Sequence, residues 1–149
     1  MKWITRIHIR VNRVATAWLI RRFIAQRAEF IFVQPAEVAT IQERENGHGF
    51  DASDATYPHK HRQGRCSFEA LIDEYCASDA VLKEMARMVR GADFGDEINL
   101  TEELAGIRTI SQGFPLVSKD DQETLEKAGF LYAARYASIK ARQSSKPKE

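Results

Sequence analysis

The sequence lacks the segments that would carry a protein into or across a membrane. No run of apolar residues approaches the roughly 18 that a membrane-spanning helix requires. No charged start followed by an apolar run and a small-residue cleavage site is present either. We therefore expect a cytoplasmic protein with no membrane partner.

Cysteine is scarce, and the common zinc, flavin and nicotinamide sequence motifs are absent. The chain has only two cysteines, Cys66 and Cys76. A structural disulfide is not expected in a cytoplasmic protein, so we predict two thiols. The sequence contains neither a CxxC pair nor an HExxH helix, the standard zinc spacings. It also lacks a glycine-rich turn after a strand, so no flavin or nicotinamide site is predicted.

Acidic residues are absent from the first 28 positions, which hold seven basic residues. Such a start is also typical of a mitochondrial transit peptide, but here the apolar pattern predicts a packed strand followed by a packed helix. Over the whole chain, 22 basic and 21 acidic residues nearly cancel. Once the secondary-structure elements are assigned, no segment remains for a helix-turn-helix, so direct nucleic-acid binding is not predicted.

The residues that are present predict one globular domain. A chain of 149 residues that is 44% hydrophobic can bury a real core. We predict a single domain over residues 1–141 and a disordered polar tail over residues 142–149. The predicted fold class is α+β, mainly α, with about six helices packed on a small three-stranded sheet.

The boundaries of these elements follow from apolar periodicity and capping residues. The predicted strands are Trp3–Arg10, Phe30–Val33 and Gly49–Asp51, and the order of strand, helix and strand predicts parallel pairing. Helices are predicted to begin near Asn12, Pro35, Ser67, Ser78, Thr101 and Ser118. The helix after Ser78 is expected to stop near Gly91, which places Asp93 just past its end. Residues predicted to face inward include Tyr75, Leu104, Ile107 and Ile110.

Arg22 interrupts the apolar face of the first predicted helix. At 100° per residue it lies one turn after Trp18, in the middle of that face. Its guanidinium must either extend past the helix end to water or pair with a buried carboxylate or an oxyanion. For the paired case, Asp51, Glu69 and Asp93 are the candidate partners.

The stretch from Gly49 to Glu69 holds most of the chemically active side chains. It has no helical period, and it contains carboxylates, imidazoles and a thiol at Asp51, Asp54, His59, His61, Cys66 and Glu69. Carboxylate oxygen, imidazole nitrogen and thiolate sulfur are metal ligands. The spacing of these residues is not a standard zinc one. The alternative of a solvated loop with two surface histidines therefore stays open.

Several motifs of the chain resemble, in matching order, the C-terminal domain of the chromate-resistance protein ChrB. They are Trp3-Ile4-Thr5-Arg6, Val11-Asn12-Arg13-Val14-Ala15, Trp18-Leu19-Ile20-Arg21-Arg22-Phe23-Ile24, Ala28-Glu29-Phe30, Phe50-Asp51, His61, Cys66-Ser67-Phe68-Glu69 and Val89-Arg90-Gly91-Ala92-Asp93. By this resemblance, the family's histidine falls on His61. The chain departs from the family where Asn12 and Ala25 replace two usual aspartates.

The resemblance implies a role in bacterial chromate resistance, with the full-length protein acting as a chromate-responsive regulator. It does not identify a molecular activity, so three classes of function stay open. The first is a domain that senses or sequesters an oxyanion such as chromate. The second is a metal- or thiol-dependent enzyme acting on chromate or a related small molecule, and no catalytic residue is assigned for it. The third is a non-catalytic interaction module, and both a monomer and a homodimer are compatible with all three.

Two sets of site residues follow. The predicted metal ligands are Asp51, His61, Cys66, Glu69 and Asp93, a hard to borderline set that suits one divalent ion such as Zn²⁺, Mn²⁺ or Fe²⁺. The predicted anion-binding residues are Arg13, Arg21 and Arg22, because guanidinium groups offer paired N–H donors to a tetrahedral oxyanion. In the alternative without metal, Arg22 and backbone donors neutralise the carboxylates.

Overall fold

The computed structural model of the protein describes residues 1–58, 66–94 and 102–145, except for the side chains of residues 91–94 and 104. The strands are β1 (Lys2–Arg6), β2 (Glu29–Val33) and β3 (His48–Gly49). The helices are α1 (Val11–Leu19), α2 (Val38–Arg44), α3 (Ser67–Tyr75), α4 (Ala80–Phe94), α5 (Glu102–Gln112), α6 (Phe114–Val117) and α7 (Asp121–Ser144). A π-helical segment, Ile20–Ile24, extends α1, and a 3₁₀ turn, Pro35–Glu37, precedes α2. The predicted α+β, mainly α, fold class is confirmed.

The sheet is parallel, with the strand order β2-β1-β3. Its central strand, β1, is buried on both faces, since the adjacent residues Trp3, Ile4 and Thr5 are all inaccessible to solvent. Parallel strands covered on both faces show this continuous burial. The predicted extension of β1 to Arg10 is wrong, because the strand ends at Arg6 and His8 adopts a positive φ of 62°.

Helix α1 lies at the centre of the helical layer and contacts α3, α4 and α7. Its apolar side packs into one continuous core with side chains from the sheet and those helices, among them Trp3, Trp18, Phe68, Leu82, Met85 and Tyr132. The Tyr132 hydroxyl donates a hydrogen bond to the Val11 carbonyl at 3.2 Å. This bond fixes the long helix α7 against the first residue of α1.

Three predicted N-caps are displaced. Asn12 does not cap α1; it is buried, and its amide donates to Ser67 Oγ at 2.9 Å while its carbonyl accepts from Thr16 Oγ1 at 3.2 Å. A tertiary link between α1 and α3 therefore replaces the local cap. Helix α3 is capped by Cys66 rather than Ser67, and α4 by Asp79, whose Oδ1 accepts from Leu82 N at 3.0 Å, rather than by Ser78.

Helices α4 and α5 differ from the prediction in length and orientation. Helix α4 continues to Phe94, so Asp93 lies in its last turn and not beyond its end. On α5, Ile107 and Ser111 are buried, whereas Ile110 is 58% exposed. Ile107 and Ser111 are one turn apart and share the face that packs inward. On α3, Tyr75 is 47% exposed, so its predicted inward position is also wrong.

Helix α7 extends beyond the predicted end of the domain. Residues 142–144, predicted to belong to a disordered tail, are helical. The extension is explained by Glu84 on α4, which accepts hydrogen bonds from Arg142 and from Gln143, the latter at 3.3 Å. No helix in the described part of the chain is both long and apolar enough to cross a bilayer.

Candidate functional site

A cavity of about 260 Å³ lies where the β1–α1 loop, the first turn of α1 and one face of α5 meet. Its lining is rich in guanidinium groups and in side chains that donate hydrogen bonds. The lining residues are Arg10, Val11, Asn12, Arg13, Asp51, Arg108, Ser111 and Gln112. The cavity lies near the carboxyl end of the central strand, where ligands commonly bind in parallel sheets.

The loop between β1 and α1 is held in place by charged side chains from outside it. The Asp121 carboxylate, at the start of α7, accepts hydrogen bonds from His8 N and Ile9 N, each at 2.9 Å. On the other side, Arg13 Nη2 donates to the His8 carbonyl at 2.9 Å. These bonds stabilise the left-handed backbone at His8 and so determine where Arg10 and the start of α1 lie.

Asp51 is the carboxylate of the cavity, and its side chain is only 1% exposed. Its Oδ2 accepts from Arg13 Nη1 at 3.1 Å and from Arg6 Nη2 at 3.3 Å. Arg6 Nε also donates to the Asp51 carbonyl at 2.7 Å. The buried carboxylate thus pairs with arginines from β1 and α1, and not with Arg22.

The loop that carries Asp51 is closed by hydrogen bonds at both ends. Gln42 Oε1 accepts from Gly49 N at 2.7 Å and from Thr56 N at 2.9 Å. A Cβ atom at position 49 would collide with that same oxygen, so a larger residue there would displace the Gln42 side chain from these bonds. Asp51 N donates to the Tyr57 carbonyl at 2.8 Å, and Asp51 itself has a positive φ of 51°. A non-glycine residue in this region is strained, so the surrounding contacts hold it there.

The cavity has a buried polar floor and an exposed basic rim. Arg10, Arg108 and Gln112 are exposed at the rim, while Asn12, Asp51 and Ser111 are buried. Within the described residues, neither Arg10 nor Arg108 forms an ion pair, and the buried Ser111 Oγ has no hydrogen-bond partner. A buried hydroxyl without a partner costs about 1–3 kcal/mol, so a ligand or water that bonds to it would be stabilised.

The remaining predicted residues lie at other places. Arg21 donates to the Ala28 carbonyl at 3.3 Å and lies over the Phe30 ring, 4.9 Å from its centroid. Glu69 Oε1 accepts from Cys66 N at 3.3 Å and from Cys66 Sγ at 3.5 Å. The bond to Cys66 N belongs to a capping box at the start of α3, in which the Cys66 side chain accepts from Glu69 N in return. The first residue of α3, Ser67, bonds to Asn12 beside the cavity. Of the predicted site residues, Asp51 and Arg13 therefore line the cavity itself.

The predicted metal site stays a prediction. His61 and the Asp93 side chain lie outside the described residues. Within residues 1–58, 66–94 and 102–145, no three His, Cys, Asp or Glu side chains are grouped so that they could hold a metal ion. The metal ligand set therefore depends on His61 and Asp93 together with Asp51, Glu69 and Cys66.

Both cysteines are thiols, as predicted. Burial raises the pKa of the Cys76 thiol, and the Asp79 carboxylate raises it further. A thiol with a raised pKa is less ionised near neutral pH and is a weaker nucleophile. Cys76 is therefore a poor candidate for thiol chemistry.

Arg22 is exposed, which agrees with the predicted alternative in which its guanidinium reaches water and not with a buried ion pair. It lies in the π-helical segment, where Ala25 N donates to the Ile20 carbonyl, five residues back, at 2.7 Å. A π-helical turn holds more residues than an α-helical turn, so its residues point in other directions around the helix axis than a 100° period predicts. The guanidinium lies 5.4 Å from the centroid of the Phe23 ring.

We accordingly expect replacement of Arg22 by Met to be tolerated. Because Arg22 is exposed and its guanidinium lies over the Phe23 ring, the free energy of unfolding should change by less than about 0.5 kcal/mol. Chemical denaturation of wild type and variant measures this. A loss of about 2 kcal/mol or more would instead indicate a buried ion pair at Arg22.

Besides Val11 and Asn12, sequence reasoning missed four lining residues: Arg10, Arg108, Ser111 and Gln112. Arg108, Ser111 and Gln112 have the spacing i, i+3, i+4, which places them on one face of a helix. That polar face was a usable signal, but the apolar residues Leu104, Ile107 and Ile110 suggested a different inner face. Arg10 was assigned to a strand face, and only the shorter β1 moves it into a loop at the cavity.

Comparison with known proteins gives one clear relationship. The family model described as the C-terminal domain of ChrB matches residues 3–139. A relative named Protein ChrB, from Cupriavidus metallidurans (strain ATCC 43123 / DSM 2839 / NBRC 102507 / CH34), is 31% identical over 136 residues. The match covers 91% of this chain and 40% of the relative, so the chain spans about two fifths of that protein's length. No solved structure matches the chain.

Proposed function

The chain belongs to the ChrB C-terminal domain family, and we propose that it is a domain that binds a small oxyanion such as chromate. In this role it would serve bacterial chromate resistance in the cytoplasm by sensing or sequestering the anion. A sensor for the longer protein and a simple binding domain require the same site. The proposal therefore concerns the binding step.

The observation that carries this proposal is the basic cavity with a buried hydroxyl in its wall. Arg10 and Arg108 form no ion pair among the described residues and lie at the rim, where they can turn toward a ligand. Guanidinium groups offer paired N–H donors that match two oxygens of a tetrahedral anion. Ser111 Oγ supplies a further donor from the buried side.

The size of the cavity favours a small ligand. Its volume of about 260 Å³ lies below the roughly 300–1,000 Å³ that is usual for pockets holding drug-sized molecules. At about 30 Å³ for each water molecule, it accommodates a tetrahedral oxyanion together with several waters. A hydrated inorganic anion fits this volume better than a nucleotide or a peptide.

The lining favours binding over catalysis. The eight lining residues that belong to the described part of the chain include no histidine and no cysteine. Nucleophilic catalysis generally pairs a nucleophile with a base within hydrogen-bond distance, and Ser111 Oγ has no such partner in the described structure. We therefore prefer a binding domain to an enzyme.

Isothermal titration of the protein with chromate at low ionic strength tests the proposal. We expect saturable binding, and we expect Arg10→Gln and Arg108→Gln each to weaken it by about tenfold or more, because a charge-assisted hydrogen bond contributes about 1.5–3 kcal/mol. Arg27→Gln is the matched control, since Arg27 is exposed and does not line the cavity. Equal affinities for wild type and all three variants would contradict binding at this site.

A further inference from the structure

The outward face of the long helix α7 carries a line of apolar side chains. Its members are Phe130, Ala134, Ala137 and Ala141, and all four are exposed. Their spacing of i, i+4, i+7 and i+11 places them in one row along the helix. A helix at a protein surface normally carries charged and polar residues on its outer side. We call this row of four residues the α7 stripe.

The α7 stripe lies opposite the buried side of the helix. Tyr132 and Ile139 are buried in the core, and at 100° per residue they point about 180° away from the stripe. The Phe130 side chain is 79% exposed. Packing within the described part of one chain therefore leaves this apolar row uncovered.

Helix propensity explains the alanines of the stripe but not its aromatic residue. Alanine is the best helix former, so exposed alanines stabilise α7 without any partner. Phenylalanine has no such advantage, and its ring is favourable only when it is removed from water. Phe130 is therefore the residue of α7 that gains most from a partner surface.

The α7 stripe is complementary in shape to a second copy of itself that runs in the opposite direction. It is bulky at Phe130 and small from Ala134 to Ala141. When two α7 helices pack antiparallel about a two-fold axis near Ala133, each aromatic ring lies level with the alanines of the other copy. Small residues there let the helices approach closely and leave a hole for the ring.

Charged residues at the two ends of the stripe are complementary in the same arrangement. Glu126 and Lys140 are exposed, and neither forms an ion pair among the described residues. They lie seven residues before and seven residues after Ala133, on the same edge of the stripe, so the two-fold axis brings Glu126 of one copy level with Lys140 of the other. Within one chain they are about 21 Å apart along the helix and do not meet.

We propose that the α7 stripe is a homodimer interface, in which two copies of the chain pack their α7 helices antiparallel. This inference is independent of the proposed anion binding. Two-fold symmetry supplies both Phe130 contacts and both pairs of Glu126 with Lys140 at once. The stripe is about 17 Å long and covers less area than the roughly 800 Å² per partner of an interface of standard size, so the dimer should dissociate on dilution.

Sedimentation equilibrium of the wild-type chain at low ionic strength, between about 10 μM and about 1 mM, tests for this dimer. We expect monomer at the low end and mostly dimer at the high end. Ala137→Glu places a charge in the middle of the stripe and should weaken dimerisation by about tenfold or more. Ala39→Glu is the matched control, since Ala39 is also an exposed helical alanine, but on α2, whose Val38 packs in the separate cluster around Ile4.

Two results of this experiment would overturn the inference. A single monomeric species at every concentration would show that a second copy is not what covers the stripe. A dimer that Ala137→Glu leaves as strong as the wild-type dimer would show that the copies meet at another surface. Neither exposed alanine contributes to the core, so both variants are expected to fold.

A charge exchange tests the antiparallel arrangement. Glu126→Lys and Lys140→Glu should each weaken the dimer by about threefold or more, because each leaves like charges facing across the two-fold axis. The double variant should regain wild-type affinity, and only pairing between two copies gives this recovery. Glu126→Lys combined with Arg44→Glu carries the same net charge but exchanges a residue of α2, so it should stay weak. Losses that simply add in the first double variant would overturn the arrangement.

Discussion

Replacement of Arg13 by Met is expected to lower the free energy of unfolding by about 3 kcal/mol, the largest loss that we predict for an arginine of this protein. Arg13 links Asp51 Oδ2 at 3.1 Å with the His8 carbonyl at 2.9 Å, and its side chain is only 15% exposed. Removing it takes the nearer of these two arginines from the buried carboxylate, while Arg6 stays at 3.3 Å. Breaking a buried pair costs far more than the pair contributes in net terms, because the remaining charge stays away from water.

Urea denaturation of the variant measures this effect, and Arg44→Met is its control. Arg44 forms an ion pair with Glu45 at 3.6 Å, but its side chain is 67% exposed, so its loss should change stability by less than about 0.5 kcal/mol. Combining Arg13→Met with Asp51→Asn should recover part of the loss, since the unpaired charge is then removed. A loss below about 1 kcal/mol for Arg13→Met would show that Asp51 does not depend on it.

Replacement of Asp121 by Ala is expected to lower stability by about 2 kcal/mol and also to weaken anion binding. Its carboxylate accepts from His8 N and Ile9 N, and hydrogen bonds to a charged group contribute about 1.5–3 kcal/mol. These bonds hold the loop that places Arg10 at the cavity. Losing them should let that loop move, so affinity for chromate should fall although Asp121 does not line the cavity.

Asp120→Ala separates the two effects. Asp120 caps α7 by accepting from Glu123 N at 2.9 Å, so its loss should cost about 1 kcal/mol, the usual value for an N-cap. It makes no bond to the β1–α1 loop among the described residues, so anion affinity should not change. If Asp120→Ala and Asp121→Ala weaken chromate binding equally, Asp121 does not affect binding through the β1–α1 loop.

Local patterns were sufficient for the elements and for part of the site. Alternation and helical spacing are properties of neighbouring residues, so the strands near Trp3, Phe30 and Gly49 and six of the helices were predicted at about their observed places. Asp51 was also predicted as a site residue, because a carboxylate at a strand end can hold a metal, and Arg13 because a guanidinium can bind an oxyanion. Element ends were less accurate, because Asn12 and Ser67 satisfy each other across the fold instead of capping their own helices.

The sequence by itself determined an α+β, mainly α, fold with a parallel sheet, charged groups at the strand ends and two thiols, because all of these follow from residue type and short-range spacing. Only the tertiary structure decided which arginines lie together at the cavity. The π-helical turn carries Arg22 into solvent, and the left-handed residue at His8 brings Arg10 beside Arg108 and Ser111 of α5, about 100 residues away in the chain. No local rule predicts such a meeting, because it depends on how α5 and α7 pack against α1.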